Sequence, residues 1–297
     1  MSNLAVEQVI ARIRAVYGRW GKGTTVEQMR ADWDDLFRAS AANWPIEKTD
    51  AGGVPAEWIA APGVSRELAI LYLHGGGFRL GSIDSHRDLI QRLSAAAQAP
   101  VLAIAYRLAP EHRFPGPVED ALTAYRWLLS EGLSAKRIAF AGDSAGGGLV
   151  VSTMFAARDH RLELPCAAYL MSAWTDLQAN GKSYQTRAAC DPIHQRPMIV
   201  GMAKGYLGVD GNPRDPLASP LYGDLHGLPP MLLQCGGRET VLDDTLMFAE
   251  KARDAGVEIV LDVHKEMIHV FQMFAADLDE ARQAVDSAGS FLRTHLK

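Results

Sequence analysis

From residue 46 onward, short β-rich runs alternate with stretches of helical periodicity, and this alternation is the strongest constraint on the fold. Strands that alternate with helices form βαβ units, in which each helix crosses over the sheet and the next strand lies parallel to the last. Six β-rich runs are recognisable, at 68–73, 101–106, 137–140, 167–171, 231–234 and 258–263. The chain is therefore predicted to adopt an α/β fold with a mostly parallel sheet flanked by helices.

Two segments depart from this rhythm. The N-terminal part carries two helical patterns, the first ending at Gly18 and the second starting at Thr25 with Gln28 as its capping-box partner. The stretch 178–222 is rich in Pro, Gly and Asp and shows no clear buried strand. We interpret it as an insertion that lies over the sheet of a single domain.

Composition excludes several classes of protein. The 297 residues contain 30 Lys and Arg against 35 Asp and Glu, a net charge of −5, so the basic excess of a nucleic-acid-binding protein is missing. No apolar run approaches the ~20 residues that span a bilayer, and charged residues interrupt any N-terminal signal sequence. We expect a cytoplasmic protein without a nucleic-acid or membrane partner. The widely spaced Cys166, Cys190 and Cys235 are expected to be three buried free thiols.

The sharpest local signal is Gly142-Asp143-Ser144-Ala145-Gly146, which follows a predicted strand and precedes an apolar helical run. This is the G-x-S-x-G pattern of a nucleophile elbow, in which a tight turn presents the serine hydroxyl at the start of a helix. The helix dipole there favours negative charge. The alternative is a glycine-rich turn with an incidental serine.

A second glycine-rich sequence, His-Gly-Gly-Gly-Phe at 74–78, directly follows the first predicted strand. Glycines let backbone N–H groups converge on one point, as the oxyanion of an acyl-transfer reaction requires. A plain loop and a phosphate cradle are the alternatives, but no Walker-type sequence follows a strand. Because HExxH and GxGxxG are also absent, we expect no metal and no organic cofactor.

Serine acyl transfer also needs a histidine base and a carboxylic acid that orients it. In proteins with a nucleophile elbow, the chain order is the serine, then the acid, then the histidine. Three histidines follow the run at 231–234. His264 ends the last predicted strand and His295 lies in the C-terminal tail, whereas His269 lies in a loop that can reach the elbow. His269 is therefore the better candidate for the base.

Three carboxylates compete for the role of the acid. Glu239 lies nearest the end of the run at 231–234, whereas Asp243 and Asp244 fall on the next predicted helix. Acidic residues in a first helical turn are ordinary partners of the helix dipole. The placement favours Glu239, with Asp243 as the fallback.

Four motifs together resemble the hormone-sensitive-lipase-like family of α/β-hydrolase carboxylesterases, also called bacterial esterase family IV. They are HGGGF at 74–78, YRLAPEHRFP at 106–115, GDSAGG at 142–147 and HVF at 269–271. The resemblance runs from about residue 46 to the C-terminus. It implies an eight-stranded sheet and a helical cap formed by 1–45 and 178–222 over a core of 46–177 and 223–297.

The resemblance also implies the roles of individual residues. It makes Ser144 the nucleophile and His269 the general base, with an oxyanion hole formed by the backbone N–H groups of Gly76, Gly77 and Ala145. Most relatives have D-x-L where this chain has Glu239 followed by Thr and Val, and glutamate can serve the same role. The implied function is a serine carboxylesterase with a Ser-His-Glu triad that hydrolyses short- to medium-chain acyl esters through an acyl-enzyme.

The pocket that binds the ester is less sharply defined by the sequence. Phe78, Trp174, Tyr206 and Leu207 are candidates for lining it. Core packing is the alternative for Trp174 and Tyr206, since large aromatic side chains at such positions are commonly buried.

Proteins of the same fold could also have other functions, and three alternatives are considered. One is a non-catalytic, receptor-like ligand-binding member, which the presence of Ser144, Glu239 and His269 disfavours. Another is an amide hydrolase, although no extended peptide cleft is indicated. An interfacial lipase would need a large apolar lid, and 178–222 is too polar for one. The run at 258–263 is a candidate edge strand through which a homodimer could pair.

Overall fold

The computed structural model describes residues 2–37 and 42–297. Met1 and residues 38–41 of the predicted cap segment 1–45 lie outside the described residues. One sheet contains the strands β1 (Ile46–Asp50), β2 (Pro55–Ile59), β3 (Ala69–Leu73), β4 (Val101–Ile104), β5 (Ile138–Asp143), β6 (Ala167–Met171), β7 (Met231–Gly236) and β8 (Ile259–His264). The helices are α1 (Ser2–Tyr17), α2 (Val26–Phe37), α3 (Ile83–Ala97), α4 (Gly116–Ser130), α5 (Ala145–Asp159), α6 (Ser183–Thr186), α7 (Arg196–Leu207), α8 (Leu242–Asp254) and α9 (Asp279–His295).

The strands follow the order β1-β2-β4-β3-β5-β6-β7-β8 across the sheet. Strands β3 to β8 are parallel, whereas β2 pairs antiparallel with both β1 and β4. The six strands predicted from the sequence are confirmed, with bounds that differ by a few residues. The β1–β2 hairpin is the part of the sheet that the sequence pattern did not locate. Strand β8 lies at an edge, as predicted, and its pairing with a second copy stays a prediction.

Alternate side chains along each central strand enter two different apolar cores. Along β3, Ala69, Leu71 and Leu73 face the side covered by α4, α5 and α8, while Ile70 and Tyr72 face the side covered by α3, α9 and α1. Because a strand has a side-chain period of two, a sheet covered on both faces needs apolar residues at every position. This explains the continuous apolar runs that identify the strands in the sequence.

The carboxyl ends of β3 and β5 to β8 meet at one edge of the sheet, where α/β proteins place their sites. Segment 178–222 contains α6, α7 and a 3-10 turn at Pro220–Tyr222, and it contains no strand, in agreement with the prediction. In the described part of the chain, no helix is both long enough and apolar enough to cross a membrane.

The cysteines correct one expectation. All three are free, but only Cys235, on β7, is fully buried. Cys166 and Cys190 are half-buried, because Cys166 immediately precedes β6 and Cys190 lies in the loop between α6 and α7.

Candidate active site

Ser144 occupies the sharp turn between β5 and α5. Its backbone has φ 50° and ψ −118°, a conformation that non-glycine residues rarely adopt. The turn packs so tightly against β3 that a Cβ atom at Gly146 would lie 2.0 Å from the carbonyl oxygen of Leu73. Glycine is therefore required at 146, and the strained serine backbone is typical of a functional turn.

Three side chains from separate loops meet at this turn. The Oγ atom of Ser144 lies 2.9 Å from Nε2 of His269, in the loop after β8. Nδ1 of the same ring forms a short hydrogen bond with Oε2 of Glu239, in the loop after β7. The other carboxylate oxygen, Oε1, accepts a 2.9 Å hydrogen bond from the Gly236 N–H. Glu239 is completely buried and His269 nearly so, which fixes both side chains.

The competing carboxylates lie elsewhere. Oδ2 of Asp243 accepts a 2.9 Å hydrogen bond from the Ser183 N–H, at the start of α6. Oδ2 of Asp244 accepts hydrogen bonds from the N–H groups of Thr175 and Asp176, in the loop after β6. Both carboxylates therefore join α8 to neighbouring loops, and neither contacts the His269 ring.

The other two candidate bases are also engaged elsewhere. Nδ1 of His264 lies 3.1 Å from Oε1 of Glu280, at the start of α9. Nδ1 of His295 lies 2.9 Å from the carbonyl oxygen of Phe291, within α9. Of the three histidines that follow β7, His269 is the one that reaches Ser144.

Two opposing effects set the proton affinity of His269. Burial lowers the pKa of its imidazole, and the Glu239 carboxylate raises it. The carboxylate prevails with help from Asp191 and Asp143, so the pKa of His269 lies above the usual value of 6.5. An opposite charge within hydrogen-bond distance favours the protonated ring, whereas a low-dielectric environment opposes it.

The glycine loop after β3 lies beside Ser144. Gly76 and Gly77 have φ values of 114° and 64° and line the same cavity as Ser144. A Cβ atom at Gly76 would lie 2.2 Å from the Leu80 carbonyl oxygen, so the loop can close only with glycine there. Ala145 is the first residue of α5, where backbone N–H groups have no acceptor within the helix. The three predicted oxyanion donors are therefore grouped around the elbow.

Asp143 connects this loop to the elbow. Its Oδ1 accepts hydrogen bonds from the Tyr72 hydroxyl at 2.7 Å and from the Gly75 N–H at 3.0 Å, and its Oδ2 lies 3.3 Å from Nε2 of His86. The ring of His74, which precedes the Gly75 N–H in the chain, stacks on the Tyr106 ring. Burial is the main cause that lowers the pKa of His74 to about 4, and the nearby His86 lowers it further. The strand end and the glycine loop therefore form one hydrogen-bonded unit.

A cavity opens above Ser144, and its walls are mainly apolar. Trp174, after β6, is one of its lining residues, as predicted. Phe78, Tyr206 and Leu207 are not among the described residues that line this cavity, and their part in binding the ester stays a prediction. The Phe78 ring stacks on Tyr206 at 3.8 Å between ring centroids, and both residues are buried. Leu207 lines a separate surface groove together with Lys204.

Several lining residues were not foreseen from the sequence. The two N-terminal helices contribute Tyr17, Trp33 and Phe37, and the insertion contributes Ile193, His194, Met198, Ile199 and Met202. An available signal was the aromatic residues on the helical patterns of the first 37 residues. Their placement over the sheet edge, however, depends on tertiary packing that no local pattern shows.

His194 and Asp191 lie directly beside the triad candidates and were likewise not singled out. The His194 ring packs edge-on against His269, with centroids 4.4 Å apart and planes at 88°. Asp191 is buried, and its Oδ2 accepts hydrogen bonds from the Thr240 N–H at 2.6 Å and from the Thr240 hydroxyl at 2.9 Å. Its Oδ1 accepts from the N–H groups of Ile193 at 2.8 Å and His194 at 2.9 Å. The insertion therefore contacts both sides of the Glu239–His269 pair.

Within residues 2–37 and 42–297, no three His, Cys, Asp or Glu side chains are grouped in a way that could hold a metal ion.

Known proteins share both the sequence and this architecture. The profile of a family described as alpha/beta hydrolase fold matches residues 70–273. An acetyl-hydrolase from Streptomyces hygroscopicus is 44% identical over 251 residues, covering 84% of this chain and 83% of its own. A crystal structure of an esterase from the bacterial hormone-sensitive lipase family superposes with a TM-score of 0.96 at 43% identity, covering 99% of both chains. The chain belongs to the hormone-sensitive-lipase-like family of α/β-hydrolases.

The chain is also similar to an esterase from Acinetobacter venetianus. It is 36% identical over 239 residues, which is 80% of this chain and 78% of that protein. The family relationship confirms the prediction drawn from the four motifs, including the eight-stranded sheet.

Proposed function

We propose that this family member is a serine carboxylesterase in which Ser144 is the nucleophile, His269 the general base and Glu239 the acid. That the chain is a carboxylic ester hydrolase follows from its named esterase relatives. The observation that carries the residue roles is the continuous hydrogen-bonded line from Ser144 Oγ through the His269 ring to Glu239, on the wall of an apolar cavity. Nucleophile and base within hydrogen-bond distance, with the base oriented by a third group, is the geometry of triad hydrolases.

In the first half-reaction, His269 Nε2 accepts the hydroxyl proton of Ser144 as Oγ attacks the ester carbonyl carbon. The carbonyl oxygen becomes an oxyanion, which the N–H groups of Gly76, Gly77 and Ala145 stabilise. Glu239 holds the ring tautomer and stabilises the imidazolium. The bond to the alcohol oxygen then breaks, His269 returns the proton to that oxygen, and an acyl-serine remains.

In the second half-reaction, water takes the place of the alcohol. His269 accepts a proton from the water, whose oxygen attacks the acyl-serine carbonyl, and the same N–H groups receive the oxyanion. The bond to Ser144 Oγ breaks, and the serine is reprotonated as the carboxylic acid leaves. No step needs a group from outside the chain other than the ester and water.

The proposal extends to the cap and the substrate. Helices α1 and α2 and the insertion 178–222 form the cap, since side chains from all three close the cavity. Trp33, Phe37 and Phe274 are bulky apolar residues in its wall. A cavity closed by such side chains suits an acyl group of short to medium length better than a long chain that needs an open groove.

The test is the hydrolysis of p-nitrophenyl esters from acetate to laurate by the wild type and by Ser144→Ala, Glu239→Ala and Asp243→Ala. We expect turnover to peak at short or medium chains. Ser144→Ala should lower kcat by about 10⁴- to 10⁶-fold and Glu239→Ala by about 10²- to 10⁴-fold, because triad members act as a unit. Asp243→Ala is the matched control and should keep kcat within about tenfold.

Each alternative has its own signature in this experiment. A crippling effect of Asp243→Ala alone would show that Glu239 is not the acid. Absence of turnover by folded wild type on every chain length would overturn the proposal in favour of a receptor-like binding protein. Faster cleavage of butyryl p-nitroanilide than of p-nitrophenyl butyrate would instead indicate an amide hydrolase.

A further inference from the structure

His194 is a polar side chain in an otherwise apolar part of the cavity. It belongs to the insertion, is 6% exposed, and lines the cavity together with Ser144 and His269. The other side chains that the insertion contributes there, Ile193, Met198, Ile199 and Met202, carry no hydrogen-bonding nitrogen or oxygen.

The ring nitrogens of His194 have no hydrogen-bond partner among the residues that the structure describes, and Nδ1 is fully buried. Leaving a buried polar atom unpaired costs about 1–3 kcal/mol, so such atoms call for an explanation. If the segment that carries the ring could turn towards solvent, this cost would be avoided. The backbone of that segment is held in place, however, because Asp191 accepts hydrogen bonds from the N–H groups of Ile193 and His194.

The position of the His194 ring places it near the alcohol portion of the ester. It packs edge-on against His269, with 4.4 Å between ring centroids. His269 must hand its proton to the alcohol oxygen of the ester, so the alcohol portion lies next to that ring in the transition state. A group bonded to His194 is therefore within a few atoms of the alcohol oxygen.

The ring is also uncharged. Burial and the neighbouring His269 lower the pKa of His194 to about 3, so it is neutral where His269 can act as a base. A neutral imidazole offers one donor and one acceptor nitrogen. A hydroxyl group can pair with either nitrogen, whereas a carboxylate would be desolvated in this cavity without a counter-charge.

We propose that His194 is a specificity-determining residue that hydrogen-bonds a hydroxyl group on the alcohol portion of the ester. The preferred substrates are then monoesters of diols or polyols whose free hydroxyl lies about two carbons from the ester oxygen. This inference rests on the proposed function, because it takes His269 as the group that protonates the leaving alcohol.

The experiment compares 2-hydroxyethyl butyrate with n-propyl butyrate, which differ by a hydroxyl in place of a methyl group. The measured quantity is the ratio of their kcat/KM values in the wild type, His194→Phe, His194→Met and His194→Gln. One neutral hydrogen bond corresponds to about a 3- to 10-fold effect. We expect the ratio to fall by that factor in the Phe and Met variants and to recover in part with Gln. Comparing variants removes any intrinsic difference between the two alcohols as leaving groups.

The control is His160→Phe, which changes an exposed histidine at the end of α5 and should leave the ratio as in the wild type. If the Phe and Met variants slow both esters equally, His194 only supports His269 and the proposal is wrong. An unchanged kcat/KM for both esters would also overturn it. Because Phe and Met differ in shape, a folding defect in one leaves the other to decide.

The proposed triad and the proposed role of His194 are tested by different variants. Retention of activity by Ser144→Ala would refute the proposed triad, whatever His194 does. Loss of activity in Ser144→Ala together with an unaltered ester ratio in the His194 variants would leave the esterase in place and remove only the diol-ester preference.

Discussion

In the proposed mechanism, two buried side chains, His269 and Glu239, set the pH range in which Ser144 can be activated. The ring must be neutral to accept the serine proton, and its pKa is raised because the Glu239 carboxylate outweighs the effect of burial. Activity is therefore present above the pKa of His269 and is lost as the pH falls through it.

We expect kcat/KM of the wild type to decline on the acidic side from a pH above 6.5. Glu239→Gln removes the charge that raises the pKa, so the acidic limb should move to lower pH while kcat drops. A pH profile with p-nitrophenyl butyrate measures both effects. An acidic limb at the same pH in the variant would contradict the assignment of Glu239 as the partner of His269.

The sequence predicts the position of Ser144 because a nucleophile elbow is a local motif. It also limits the candidates for the base and the acid to a few residues, because the carboxyl ends of parallel strands share one edge of the sheet. It did not identify His194, whose position beside His269 depends on how the insertion folds back. It also leaves open whether Phe78 and Tyr206 border the cavity, since a sequence pattern does not show which face of a loop or helix does so. In the structure these two rings are buried and stack on each other.

Helix α7 is the longest element of the insertion and contains two exposed glycines in its interior. A Cβ atom at Gly201 or Gly205 would meet nothing within 4 Å. Glycine in a helix interior costs about 0.5–1 kcal/mol relative to alanine, because it loses more backbone freedom on folding. The helix is therefore held in place mainly by packing of its buried side, which includes Ile199 and Tyr206.

Gly201→Ala and Gly205→Ala should each raise the free energy of unfolding by about 0.5–1 kcal/mol. Urea denaturation monitored by circular dichroism checks this. The matched control is Gly208→Ala at the end of the same helix, where φ is +84° and a side chain is strained. Gly208→Ala should destabilise, and stabilisation there would contradict the backbone geometry.

The β1–β2 hairpin shows why one part of the sheet was not predicted. Strand β1 has the sequence Ile-Glu-Lys-Thr-Asp and no fully buried residue, because it lies at the outer edge. Its register comes from pairing with β2, which in turn pairs with β4. A strand that owes its existence to its neighbours leaves little hydrophobic periodicity to detect.

The stability of the whole molecule depends on pH through a carboxyl group remote from the triad. Asp244 is fully buried, and burial, followed by the nearby Asp176, raises its pKa well above the usual range. Its Oδ1 has no hydrogen-bond partner among the described residues. The folded protein holds the Asp244 proton more tightly than the unfolded chain does. The contribution of this proton to the free energy of unfolding is therefore full below pH ~3.9 and is lost as the pH rises through the pKa of Asp244 in the folded protein.

Asp244→Asn should therefore raise the Tm, and by more at pH 8 than at pH 5. The amide keeps an oxygen for the N–H groups of Thr175 and Asp176 and carries no charge to desolvate. Differential scanning fluorimetry across this pH range measures the difference. Asp210→Asn, in an exposed loop, serves as the control and should show no such trend. A Tm that falls equally at both pH values would contradict the argument.

The buried Asp191 carboxylate restricts how a substrate can enter. Swinging the segment that carries it outward would strip both hydrogen bonds from Thr240 and pull on the residue next to Glu239. Thr240 is fully buried, so its N–H and hydroxyl would be left unpaired at a cost of about 1–3 kcal/mol each, and we expect this part of the insertion to move together with the loop that carries Glu239. We therefore expect an ester to enter past the N-terminal helices that carry Trp33 and Phe37, while Asp191 stays bonded to Thr240 beside Glu239.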